Sequence, residues 1–119
     1  MEDYLLREID RIGEMLLAVA RKLGLFSDDV PQYSISDVKE EMDKVELSLD
    51  IDTIFSKETP ILYLVENENI SDIGLETFVE IIFHSDLDES KKAIILKDAV
   101  NYLDNKGYYS FRLHSLADF

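Results

Sequence analysis

Residues 3–24 space their apolar side chains in a way that only a helix can use. Leu5, Leu6, Ile9, Ile12, Gly13, Leu16, Leu17, Val19, Ala20 and Leu23 fall within an arc of roughly 160° at about 100° per residue. Arg7, Asp10, Arg11, Glu14, Arg21 and Lys22 occupy the rest of the circumference. Lys22 in the last turn complements the negative end of the helix, and Gly24 supplies the left-handed residue that closes it. A stripe this broad needs at least two neighbouring elements, or a second copy of the chain, to cover it. That requirement points to a helical fold.

The rest of the chain continues the pattern. "FSDDVPQYS" reads as a loop, because proline disfavours a helical residue before it. Ser36 offers an N-cap with Glu40 close to the capping-box position, and Val38, Met42, Val45 and Leu49 predict a helix over 36–50. At its end, "LSLDIDTIFS" also fits strand-like alternation from Val45 to Ile51. The helix reading places Asp52 as the cap of a short turn, "TIFSK", with Ile54 and Phe55 turned into the core. Thr59-Pro60 starts a helix over "PILYLVEN". Ser71 or Asp72 caps the next one, in which Leu75, Phe78, Val79, Ile82 and Phe83 share a face opposite Glu76, Glu80 and His84. A helix over 89–105 ends at Asn105-Lys106-Gly107, and "YYSFRLHSLADF" supplies a sixth. The expected fold is all-α, with five or six helices in antiparallel hairpins forming one domain over residues 1–119. The alternative is α+β, with a small sheet from residues 45–51, 61–65 and 109–113.

The charge distribution narrows the function classes. The net charge of −14 is concentrated in the middle of the chain. Residues 1–27 hold five acids and four bases (−1) and residues 28–59 hold ten acids and three bases (−7). Residues 60–90 hold eight acids and no base (−8), and residues 91–119 hold three acids and five bases (+2). No basic patch exists to displace counterions from nucleic acid or to engage an anionic membrane. Cysteine is absent, which removes disulfides, thiolate metal sites and thiol nucleophiles. "MEDYLLREID" lacks the basic-then-apolar order of a signal peptide, and "MLLAVA" is far shorter than the roughly 20 residues of a membrane span. A cytoplasmic location is the expectation.

Each chemical motif has a plainer reading. Asp50-x-Asp52 matches the acid pair of haloacid-dehalogenase-type phosphotransferases, but that motif continues with Gly and then Thr or Val, whereas Thr53 and Ile54 follow here. Glu80 and His84 are four apart and project from one helical face, where they could share a metal. Di-iron bundles, however, use a spacing of three on two helices. The plainer reading is a solvated face, and His114 has no acidic partner nearby in sequence. "DLDES", residues 86–90, lacks the central Gly of a calcium loop and has Lys97 at position 12; it reads as a turn and a helix cap. Glycines 13, 24, 74 and 107 make no phosphate loop. Tyr108, Tyr109, Phe111 and Phe119 are expected in the core rather than at an interface. No catalytic, cofactor-binding or metal-ligating residue is assigned, and no cofactor is expected.

"DYLLREIDRIGEMLLAVARKLGL", "DIDTIFSKE" and "YLDNKGYYSFRLHSLADF" together resemble a group of small bacterial all-helical proteins whose later helices look like tetratricopeptide hairpins. The resemblance covers most of the chain. It implies helical hairpins and no catalytic residue. Only Ala93, Ala99 and Tyr102 echo the small and large positions of the tetratricopeptide consensus. The expected function is a non-enzymatic helical scaffold that binds a protein partner or itself as a homo-oligomer, without nucleic acid or membrane. The alternative is an acidic regulator that mimics nucleic-acid charge and occupies a basic protein, motivated by the absence of Lys and Arg from residues 58–90.

Overall fold

The computed structural model describes residues 11–29 and 32–117. Residues 3–10 of the expected first helix, the Val30-Pro31 step and Phe119 lie outside them. The described residues form seven helices: α1 (Arg11–Lys22), α2 (Ile35–Lys44), α3 (Ile51–Ser56), α4 (Pro60–Asn67), α5 (Asp72–Phe83), α6 (Glu89–Asn105) and α7 (Phe111–Ala117). No strand forms among them; Tyr33 and Ser85 make an isolated bridge. The all-α expectation holds at this level. The count exceeds five or six because the expected turn at 53–57 lies largely within a helix of its own, Ile51–Ser56.

α5 is the axis of the molecule. It packs against α1, α6 and α7, while α2 lies on α1, α4 lies on α6, and α3 pairs with α4. Every residue of α5 from Gly74 to Ile82 is buried, so it has no solvated face. Its last four carbonyls, which no helix can satisfy internally, are all taken. Glu80 O accepts from the His84 N–H, Ile81 O from the Tyr33 hydroxyl at 2.8 Å, and Ile82 O from Ser85. Phe83 O accepts from Lys92 Nζ at 3.1 Å, and the same ammonium donates to Ser85 O at 2.7 Å. Burial, reinforced by the Glu80 carboxylate, pushes the Tyr33 hydroxyl's pKa up, so it remains a donor.

Two boundaries differ from the sequence reading. α2 is capped by Ser34 with Asp37 completing the capping box, not by Ser36 with Glu40. Tyr33 is fixed at the end of α5, and the Ile35 N–H bonds Asp86 Oδ1 at 2.8 Å. These ties start the helix earlier than local preference does. α2 also ends at Lys44 rather than near residue 50. The connector to α3 keeps the alternation seen in sequence, with Leu47 and Leu49 buried and Ser48 and Asp50 exposed. It is extended without a sheet, and the segments 61–65 and 109–113 of the alternative fold lie in α4 and at the start of α7.

Three helices end the same way. At the end of α1, Gly24 (φ 82°) brings the Leu25 N–H onto Ala20 O at 2.9 Å, and at the end of α6, Gly107 (φ 86°) brings the Tyr108 N–H onto Leu103 O at 2.8 Å. α2 makes the same bond, Leu47 N–H to Met42 O at 3.0 Å, but its left-handed residue is Glu46 (φ 58°). A side chain there is strained, and glycine is not. Glu46→Gly should therefore raise stability by about 0.5–1 kcal/mol in urea unfolding, the relief exceeding the flexibility added to the unfolded chain. Destabilisation would show that the strain is negligible.

Candidate interaction face

The opening acid pair has a local role. Asp50 is the N-cap of α3, its carboxylate accepting from the Asp52 and Thr53 N–H groups and from the Thr53 hydroxyl at 2.9 Å. The Thr53 hydroxyl, followed by the backbone donors, holds the Asp50 carboxyl below its usual range. Asp52 turns outward to Lys39 Nζ at 2.8 Å. The stretch is therefore the start of α3 and not the expected end of the preceding helix, and Asp50, not Asp52, is the cap. The "DLDES" turn behaves as expected, with Asp88 capping α6.

Glu76 and Glu80 require the largest correction. They are 8 % and 7 % exposed, not part of a solvated face with His84. Both face α7. The Ser110 hydroxyl donates to Glu76 Oε2, and Ser110 also caps α7 by accepting the Leu113 N–H at 3.1 Å. Arg112 Nη2 donates to Glu80 Oε2 at 2.8 Å, and its Nε lies beside Oε1 as an ion pair without hydrogen-bond geometry. Burial pushes the Glu80 pKa up, the Arg112 charge opposes this, and the neighbouring Glu76 adds to the rise. His84 is half-buried, its pKa lowered by burial and by Lys92. Among the described residues no three His, Asp or Glu side chains converge as metal ligands.

The latch on α5 fixes which side of α7 faces solvent. Leu113 is buried, whereas Tyr109 is 65 % and Phe111 74 % exposed, the highest values among the described large apolar side chains. The expected core cluster is thus divided: Tyr108 packs against the core, Tyr109 and Phe111 do not. His114, which has no acidic partner nearby in sequence, is brought by folding to Asp104, with Nε2 3.0 Å from Oδ1. The Tyr109 ring stacks on the imidazole at 4.3 Å and 9°. Pinned in this way, Tyr109 loses little side-chain freedom on docking, as aromatic anchors require.

Two depressions adjoin at this end. One, of about 510 Å³, is lined by Tyr109, Phe111, His114, Ser115 and Ala117. The other is a mainly apolar groove of about 340 Å³ whose lining includes Phe83, Lys92, Ala93, Leu96, Val100 and Ala117. Ala117 borders both. The Lys92 ammonium is already committed to Phe83 O, Ser85 O and Glu89 Oε1 (3.2 Å), so the groove does not present it as a free anion-binding donor. The arrangement offers aromatic contact area next to an apolar groove.

The Lys- and Arg-free stretch still contained a signal for the buried acids. "DIGLETFVEIIF" is apolar around most of its circumference, which predicts a helix buried on all sides. Its two acids then require partners, and nothing in sequence order identifies Ser110 and Arg112 as those partners. Comparisons with models of protein families, with curated proteins and with solved structures returned no match.

Proposed function

We propose that the protein is a non-enzymatic helical scaffold that associates with a second copy of itself through the face carrying Tyr109 and Phe111. The coincidence of this face with the chain's charge pattern carries the reading. At −14 overall, two copies repel over most of their surface. Residues 91–119, at +2, carry none of the acidic excess, so close approach there meets far less like charge than over residues 28–90. The two most exposed aromatic side chains lie in this same segment. α5 and α6, joined by residues 84–88 and packed together, make the kind of helical hairpin from which tetratricopeptide-like stacks are built. The acidic-regulator alternative is weakened because Glu76 and Glu80, two of the eight acids in 60–90, are buried and paired.

Sedimentation equilibrium at low and high salt tests the proposal. Self-association should strengthen with salt, because screening reduces the net repulsion. Phe111→Asp should weaken it about tenfold or more, on the scale of an interface anchor, while leaving the circular dichroism spectrum unchanged. A monomer at every salt concentration would overturn the reading.

A further inference from the structure

We propose that α7 exchanges between two copies, each copy's α7 seating on α5 and α6 of the other. This rests on the self-association reading above and adds that the partner copy supplies Ser110 and Arg112 to the latch.

The latch joins α5 to α7 through buried polar contacts. Glu76 and Glu80 are buried beneath α7 and find their partners in Ser110 and Arg112, which are 34 and 32 residues away. A second copy's α7 carries the same groups in the same order and fits the seat equally well. The rest of the helix is held by the buried Leu113, by Leu116 against the core, by His114 on Asp104 of α6 and by Arg112 over Phe26. Exchange keeps every one of these contacts, so the exchanged and unexchanged forms differ mainly at the hinge.

The hinge is suited to opening. α6 and α7 are separated by residues 106–110, and the turn depends on Gly107 at φ 86°, where an added Cβ would meet nothing within 4 Å. If Gly107 takes a helical φ instead, α6 runs on toward α7 and carries it off its own body. Tyr109 and Phe111 sit in and beside this hinge. In one copy they face water; in an exchanged pair the two hinges cross side by side, and these rings have each other to cover them. The seat, the hinge and the uncovered aromatics thus all suit the same occupant.

Charge reversal across two chains provides the test. The Glu80→Arg chain sets two guanidinium groups against each other, and the Arg112→Glu chain sets two carboxylates together. If α7 exchanges, a mixture of the two repairs both seats, because each chain's α7 meets an opposite charge on its partner. Co-refolding the two chains should yield about tenfold more soluble dimer than either alone, since unpaired buried charges penalise the separate chains and not the pair. The chain carrying both substitutions restores the pair within itself and controls for folding. Gly107→Ala, which disfavours the left-handed turn, should raise the dimer fraction of the otherwise natural chain. If the natural chain is dimeric but mixing rescues nothing while the doubly substituted chain folds, exchange is overturned and face-to-face association stands. If the natural chain is monomeric, both proposals fall.

Discussion

Arg112→Ala should cost about 3 kcal/mol at neutral pH, and most of that cost should disappear in acid. The guanidinium is partly exposed, but the carboxylate it grips is 7 % exposed, so removing the cation leaves a buried anion with Glu76 one turn away. Burial already raises the Glu80 pKa above its ordinary 4.5, with Arg112 holding the rise in check. The sign follows from linkage. A carboxyl whose folded pKa is raised stabilises the fold most below its unfolded pKa, and that contribution is lost as pH rises through the folded value. Arg112→Ala raises the folded value further, so the variant and the natural chain should diverge as pH increases and converge below about 4.5. The residue of cost that persists in acid is the lost packing of the side chain over Phe26, 4.9 Å from ring centroid to guanidinium. Urea unfolding at several pH values reads this directly. A difference independent of pH would mean that Arg112 acts through packing alone. Adding Glu80→Gln to Arg112→Ala should recover much of the loss at neutral pH, since the side chain left behind is uncharged.

The contrast between α1 and α5 shows which parts of the molecule could be read in advance. The end of α1 was legible because Lys22 and Gly24 signal it locally, and Leu25 closes the expected motif. The start of α4 was equally plain from Thr59-Pro60. α5 was misread because a two-faced helix was assumed where apolar residues surround nearly the whole axis. Its acids then looked solvated, although the fold buries them against Ser110 and Arg112. The alternation of Leu47 and Leu49 was real, yet it indicated burial along an extended connector and not a strand. Tyr109 and Phe111 went to solvent for a related reason. The polar latch fixes the rotation of α7, and that latch joins residues more than thirty positions apart. Local pattern therefore located the helices, while long-range polar pairing determined which of their faces were left exposed.

The crossing of α1 over α5 gives a second large effect, in which local propensity and packing predict opposite signs. By propensity alone, Gly74→Ala in a helix should stabilise by up to about 1 kcal/mol. But a Cβ at Gly74 would lie 2.9 Å from Ile70 Cγ1, 3.2 Å from Ser71 Oγ and 3.4 Å from the Gly13 Cα. None of these is a loose end. Ile70 is a buried core residue, Ser71 Oγ is the cap that accepts the Gly74 N–H at 3.0 Å, and Gly13 is backbone of α1. Relieving the contact means moving the first turn of α5, its cap, or the helix packed on it. Overpacking of this kind outweighs the propensity gain, so Gly74→Ala should destabilise by about 1–2 kcal/mol and Gly74→Val by about 3 kcal/mol, the branched side chain also meeting the preceding turn. Thermal and urea unfolding of both variants decide the matter. If alanine is neutral or stabilising, Ile70 and the Ser71 cap yield readily and their closeness does not limit the packing at the start of α5. If the losses rise from alanine to valine, the tight fit of Gly74 against Ile70 and the Ser71 cap fixes the first turn of α5, and with it the position of the axis that carries Glu76 and Glu80.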